Sequence, residues 1–386
     1  MGDFKINKTY QEINEKIRSG EAVVVTAEEI IDIVHDQGPV EAARHVDVVT
    51  TGTFSPMCSS GAFINIGQSR PVIRTTQTWF NNVPAYSGIA AVDCFLGATQ
   101  TCEDDPLNKL HPGEFNYGGG HVIQDLAAGK EIELKAESYG TDCYPNRKIE
   151  KIITLADLPN AILCNPRNGY QNYNCAINRS DKVKYTYMGT LKSDMANANY
   201  STSGQLSPLF NDPYLKTIGL GTRIFLGGAQ GYVTWSGTQH KKKVGRTHSG
   251  APLTPAATLF VMGNLKEMSP EWLVGQSIRG YGVSLSVGLG IPIPILNEEM
   301  VKYTAVSDEE LFTQVIDYGH DYQQGISKSY GQVSYAELKS GTIMIKGREV
   351  QSVPLSSVVR ARKIADILKR WIQKGKFLIG EPQHMF

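Results

Sequence analysis

The stretch from Gly61 to about Met300 constrains this chain more than any other part of it. It is rich in Gly, Asn, Tyr, Ser and Thr, and it lacks the sustained three-to-four-residue apolar spacing of long amphipathic helices. Large apolar and aromatic residues interleave with the glycines at irregular spacing, which a solvated linker would not carry, so the segment is expected to be ordered. Short runs such as residues 184–188 and 223–226 read as strands. The middle of the fold should therefore be short strands joined by long ordered loops. No fixed-period repeat is visible.

The flanks are more regular. Ile6, Tyr10, Ile13 and Ile17, with charged residues between them, predict an amphipathic surface helix over residues 1–19 and not a signal peptide. Residues 21–25 read as a strand, and Thr26-Ala27-Glu28-Glu29 as a capping box opening a helix that ends at Gly38. A helix around residues 40–44 follows, then a buried strand over 46–50 that empties into Thr51-Gly52-Thr53-Phe54-Ser55-Pro56-Met57-Cys58-Ser59-Ser60-Gly61. A strand that empties into such a loop is where α/β proteins commonly place active groups. From about Ser307 the composition is that of ordinary helical sequence. It ends in an amphipathic helix over 354–375, with apolar Val358, Ala361, Ile364, Ala365, Leu368, Trp371 and Ile372. Ser356 or Ser357 can cap its start and Gly375 its end. Its opposite face carries Arg360, Arg362, Lys363, Lys369 and Arg370, a solvated face first and a docking surface for an acidic protein second. The fold class expected is mixed α/β: one large body over residues 1–386, with a loop-dense Gly-rich middle and a C-terminal amphipathic helix.

Lys plus Arg balances Asp plus Glu at 38 each, so no overall field recommends a nucleic acid, a membrane or a polyanion as partner; the default is a small molecule. The basic cluster Lys241-Lys242-Lys243, near Arg246 and His248, reads as a solvated loop. The least charged stretch, residues 280–297, is broken by Gly282, Gly288, Gly290, Pro292 and Pro294 and cannot form a regular spanning helix. With no export signal, six cysteines imply free thiols in a reducing, cytoplasmic setting. No CxxC pair occurs and no bound metal is expected.

Two cysteines sit on polar loops. Cys143, in Gly140-Thr141-Asp142-Cys143-Tyr144-Pro145, lies on a turn that can present its sulfur to a cleft, with Arg147 and Lys148 as nearby cations. Cys58 is followed by Ser59-Ser60-Gly61, whose consecutive amides could hold an oxyanion or a carboxylate; the alternative is a buried small apolar residue. Together they invite a dithiol mechanism, one sulfur carrying persulfide and the other resolving it. Cys94 and Cys164 lie in apolar runs and read as core. For substrate binding, Arg167 and Arg223 could each clamp a carboxylate or serve a structural ion pair. Ser59 and Ser60 belong to the same site, and His121 and His240 could act as acid or base or be structural. Gly118-Gly119-Gly120 before a helix is a weak phosphate-cradle signal.

The run Val48 to Ala62, Tyr117-Gly118-Gly119-Gly120-His121-Val122-Ile123, the Cys143 segment, and Ile218 to Gly228 together resemble the homocysteine biosynthesis protein family, and the resemblance continues through Gly288 to Pro294 to the last helix. That family is found in methanogens and other anaerobes. The resemblance implies an L-aspartate semialdehyde sulfurtransferase, making homocysteine by placing sulfur on the aldehyde carbon. It also implies that the family's two cysteines fall on Cys58 and Cys143, with a Cys143 persulfide adding to the aldehyde. Electrons would come from outside, from a ferredoxin-like partner with its own iron–sulfur cluster; no tightly bound cofactor is expected on this chain. Many members continue into a pair of CBS modules, so nucleotide regulation through these is not expected in a chain ending at Phe386. A homodimer is the base-rate assembly. The contrasting reading is a non-catalytic sulfur or iron–sulfur carrier.

Overall fold

The computed structural model describes residues 4–168, 171–326 and 328–386. Residues 1–3 of the expected first helix and 169–170 of the polar segment around Arg167 lie outside the described residues. The first described helix is Tyr10–Ser19, capped by Thr9 and Glu12 and closed by Gly20 in the left-handed conformation.

The strand–helix–strand reading of the N-terminal region holds. Val24–Thr26 pairs in parallel with Val48–Thr50, the helix Glu29–His45 connects them, and Pro292–Pro294 adds an antiparallel third strand. Thr26 N–H donates to Glu29 Oε2 at 2.7 Å, and Glu29 N–H returns to Thr26 Oγ1 at 3.2 Å, the reciprocal bonds of a capping box. The connecting helix breaks at Gly38 (φ 77°), followed by Pro39, so the expected stop is a kink between two helical pieces.

The Gly-rich middle forms most of a nine-stranded sheet. Its order is Leu273–Ile278, Gly282–Gly290, Arg223–Leu226, Ala229–Ser236, Leu259–Asn264, Asn160–Asn168, Gly61–Asn65 and Asp93–Gly97, with Thr53–Pro56 also pairing with Gly282–Gly290. Every pairing in this sheet is antiparallel. Gly282–Gly290 is buried along its whole length, because the helices Gly119–Ala127 and Val358–Gln373 pack against it and the apolar core takes what they leave. A four-stranded sheet, Val83–Ala85, Gln77–Phe80, Ile132–Glu137 and Lys148–Ile153, lies beside it.

The helical expectation for the region after Ser307 is corrected. Phe312–Asp317, Ser329–Ser334, Thr342–Ile345 and Arg348–Pro354 are strands of a six-stranded sheet completed by Cys175–Ile177 and Asn197–Tyr200. Within residues 312–354 only Tyr335–Lys339 is α-helical among the described residues. Alternating residues such as Val315, Val333, Ile343, Ile345 and Val350 turn inward to a second apolar core, a two-residue period that composition alone does not register.

The last helix, Val358–Gln373, starts where Arg360 N–H donates to Ser357 Oγ at 3.3 Å and buries Ala361, Ile364, Ala365, Leu368 and Ile372. Each fully buried Ile or Leu contributes roughly 1.5–3 kcal/mol. The helix rests directly on Gly52, where a Cβ would stand 2.1 Å from the Ala361 carbonyl oxygen. Its basic face is drawn onto the chain itself: Arg362 bonds Glu28 at 2.8 Å, Lys369 bonds Glu29 at 2.6 Å, and Arg360 lies 4.4 Å above the Phe54 ring.

Candidate active site

The strand Thr53–Pro56 delivers the chain to a tight turn in which Ser60 N–H closes onto the Met57 carbonyl at 2.9 Å, leaving Cys58 and Ser59 at the corner. Met57 N–H is held by Leu285 O at 2.8 Å, and Ser284 on the same neighbouring strand donates its hydroxyl to Cys58 Sγ at 3.3 Å. The buried side chain of Asn165 ties this turn down. Its Oδ1 accepts from Ser59 Oγ at 2.9 Å and from Arg167 N–H at 2.9 Å, and its Nδ2 donates to Ser60 Oγ at 3.0 Å. Ser59 Oγ also reaches the Arg167 carbonyl at 3.2 Å.

At that point the strand Asn160–Asn168 bulges. Asn165 pairs with Val261 and Asn168 with Leu259, three steps on one strand against two on its neighbour. The bulge brings both Arg167 and Asn168 into the wall of a cavity of about 340 Å³ that also holds Cys58 and Ser59. The cavity lies at the seam between the two large sheets, with Ser55 and Leu289 from the nine-stranded sheet, and Thr202 and Leu355 from the ends of strands in the six-stranded one. Among the described lining residues Arg167 is the one Lys, Arg, His, Asp or Glu side chain. The field inside therefore favours an anion.

Part of the remaining wall is aromatic. Tyr187, Tyr281 and Tyr322 line it, with Tyr318 behind them. Tyr187 shares hydroxyl hydrogen bonds with Tyr318 at 2.9 Å and Tyr322 at 3.0 Å, and the Tyr318 and Tyr322 rings stack with centroids 4.1 Å apart. Burial, with neighbouring phenols, pushes Tyr187 far above its ordinary value, and burial pushes Tyr318 up to about 12. Burial, Cys58 and Tyr322 raise Tyr281 against the opposing pull of Arg167. These phenols stay protonated at neutral pH.

The other residues singled out by sequence lie elsewhere. Cys143 is exposed on the loop joining Ile132–Glu137 to Lys148–Ile153 of the four-stranded sheet, its sulfur 3.4 Å from Thr141 Oγ1. That loop leans through Asn146 on Ser69 and Val72, beyond the far end of Gly61–Asn65, whereas Cys58 stands just before its near end. Cys143 is not among the described residues lining the cavity that holds Cys58. Arg223 donates to the Leu378 carbonyl at 3.3 Å outside the cavity. His121 stacks on Tyr117 and reaches Ser277 Oγ at 3.3 Å, with burial lowering its pKa. His240 packs its Nδ1 against Thr258, next to the cavity-lining Gln239. The Gly118–Gly120 cradle reading is overturned: Gly119 and Gly120 N–H are spent on the Gln100 and Ala98 carbonyls, and a Cβ at Gly120 would stand 2.0 Å from Ser284 O. These glycines allow close packing. Lys241, Lys242 and Lys243 are exposed, as expected.

Sequence reasoning passed over Ser284 and the tyrosines, since residues so far apart in the chain meet only through sheet register. The signal available was the 18 tyrosines, unusually many for core packing alone. Among the described residues no three His, Cys, Asp or Glu side chains gather as a metal site requires, and no helix is long and apolar enough to cross a membrane.

Comparison with known proteins agrees with the sequence resemblance. The model of the family described as "Homocysteine biosynthesis enzyme, sulfur-incorporation" matches residues 22–379. The L-aspartate semialdehyde sulfurtransferase of Methanosarcina acetivorans is 49% identical over 377 residues, covering 98% of this chain and 71% of that protein. The protein of the same name from Methanocaldococcus jannaschii is 47% identical over 389 residues, covering 97% and 72%. A protein of Methanothermobacter thermautotrophicus without an assigned activity is 28% identical over 350 residues, covering 88% and 74%. No solved structure matches the chain.

Proposed function

Because this chain belongs to the homocysteine biosynthesis family of sulfur-incorporating enzymes, we propose that its cavity binds L-aspartate semialdehyde and that Cys58 places sulfur on the aldehyde carbon. Sulfur transfer for homocysteine formation is the activity of its class; the substrate, the thiol and the order of steps are the proposal. One observation carries it: Cys58 is the cysteine among the described lining residues of a cavity whose ionised wall residue is Arg167. A small substrate with a carboxylate at one end and an electrophilic carbon at the other matches that pair.

In the proposed cycle the terminal sulfur of a Cys58 persulfide attacks the aldehyde carbon. A carbon–sulfur bond forms, and the carbonyl π pair moves to oxygen, which takes a proton; the Tyr281 phenol lines the same cavity as Cys58 and is a suitable donor. Two electrons then split the sulfur–sulfur bond, returning Cys58 as a thiol. Loss of water from the released adduct leaves a thiocarbonyl, and two further electrons with protons give the homocysteine thiol. An external electron carrier of the iron–sulfur class supplies the four electrons. Cys143, exposed on its loop, takes its outer sulfur from a persulfide or polysulfide donor, and once that loop has moved to the cavity mouth the Cys58 thiolate attacks this sulfur and releases the Cys143 thiolate.

The test is peptide mass spectrometry after incubation with a polysulfide, a sulfane-sulfur donor, alongside homocysteine formation with an added reductant under anaerobic conditions. Cys58→Ser should abolish product. Cys143→Ser should lose loading from the donor but recover when Cys58 is persulfidated chemically. Full homocysteine synthesis by Cys58→Ser would end the assignment.

A further inference from the structure

Asn168 is one of the residues lining the cavity; it is 3% exposed, and its enclosed Nδ2 has no hydrogen-bond partner. A buried donor without an acceptor is costly, and where one persists an explanation is owed. Here the backbone itself turns it inward. In a regular strand consecutive side chains point to opposite faces, yet Arg167 and Asn168 both line the same cavity because the bulge after Asn165 breaks the alternation. The bulge is held by Asn165 Oδ1, which accepts Arg167 N–H at 2.9 Å. Two neighbouring residues with donor side chains, one cationic and one neutral, thus stand in the wall of one cavity.

We propose that Asn168 Nδ2 is the second donor of a carboxylate receptor, completing with Arg167 a two-point grip on the α-carboxylate of a small amino-acid substrate. The inference rests on the reading of this cavity as the aspartate semialdehyde site. It names what selects the substrate there: the guanidinium supplies charge, and the amide supplies a fixed direction that a cation alone lacks. The carboxylate in turn satisfies a donor left unpaired in the free protein. The grip orients the substrate so that its far, aldehyde end meets the Cys58 sulfur.

The test is calorimetric binding of L-homoserine, an unreactive analogue, beside 3-aminopropan-1-ol, the same molecule without its carboxylate. The intact chain should bind the first and bind the second far more weakly. Asn168→Leu, similar in shape but without the donor, should weaken L-homoserine by about tenfold or more, the usual worth of a buried hydrogen bond to a charged group. Asn168→Asp should weaken it further by placing an anion against the carboxylate. Neither variant should change binding of 3-aminopropan-1-ol, and both should raise KM for L-aspartate semialdehyde more than they lower kcat. Equal homoserine binding by the intact chain and by either folded variant overturns the proposal. So does an intact chain that binds the two probes alike, whatever the variants do. Homoserine binding that depends on Asn168, in a protein that does not convert L-aspartate semialdehyde, would keep the receptor and discard the proposed reaction; conversion that ignores Asn168 would do the reverse.

Discussion

Ser59 Oγ donates to Asn165 Oδ1 across 2.9 Å, and this bond helps join the turn that carries Cys58 to the bulge that carries Arg167. The same amide holds Ser60 through Nδ2 at 3.0 Å, so a side chain with no solvent exposure fixes the thiol and the cation relative to each other. Asn165→Ala should cost about 1–3 kcal/mol, because it strands Ser60 Oγ and the Arg167 amide without their partner. Urea denaturation measures that cost. Turnover should fall by more than stability requires, since two elements of the cavity lose their common anchor, and an Asn165→Ala enzyme with unchanged kcat at saturating substrate would refute this coupling.

Five of the six thiols should separate by reactivity. Burial pushes Cys94 and Cys175 each up to about 12 and Cys164 up to about 11, so these remain thiols at pH 8 and out of reach of reagent. Cys143 is exposed on its loop and should be alkylated first. Cys58 is partly buried at the cavity wall and should react more slowly, and more slowly still with L-homoserine bound. Timed iodoacetamide labelling with peptide mass spectrometry reads the order; ligand protection of Cys143 but not Cys58 would move the site.

Arg167→Met keeps much of the stem and removes the charge. It should raise KM for L-aspartate semialdehyde about ten- to hundredfold, the range for a lost charge-assisted hydrogen bond, with a smaller change in kcat. Arg223→Met removes a bond to the Leu378 carbonyl outside the cavity and should leave KM within about twofold, scored in the same steady-state assay.

What the sequence revealed follows the range of the forces involved. The Thr26 and Glu29 box and the Ser357 cap are set by neighbours three or four residues away and appear as read, and the Gly38 stop appears as a kink. The loop holding Cys58 was legible for the same reason, because a buried strand running into a Ser- and Gly-rich turn is a local pattern. Arg167 was named from a polar segment, but its meeting with Cys58 depends on Asn160–Asn168 pairing with Gly61–Asn65, a register between residues about a hundred positions apart. Tyr187, Tyr281 and Tyr322 come together through still longer connections, and no local signal marks which tyrosines will share a wall. The strands after Ser307 were missed because inward positions alternate among polar ones, so composition resembled that of an exposed helix.

Asp47 provides a test of how the N-terminal helix anchors the strand that feeds the site. Its carboxylate has no exposure and receives Lys8 Nζ at 2.9 Å, Lys16 Nζ at 2.8 Å and Val23 N–H at 3.0 Å. Burial works to raise its pKa, but the bonds from Lys16, Val23 and Lys8 outweigh it and hold the carboxyl below its ordinary value. A carboxyl whose folded value lies below its unfolded one, about 3.9, binds its proton more readily in the unfolded chain. The stabilisation is therefore present in full well above pH 4 and is lost as pH falls through the depressed folded value. Asp47→Asn should cost about 3 kcal/mol near pH 7, mainly by leaving the largely buried Lys8 ammonium unpaired, with Lys16 contributing less because it is well exposed. The gap between the two proteins should narrow steadily below about pH 4. Urea midpoints taken from neutral to acid pH measure it, and a gap that stays constant down to the lowest pH at which both fold would show that the Asp47 charge contributes nothing to holding the helix against the strand.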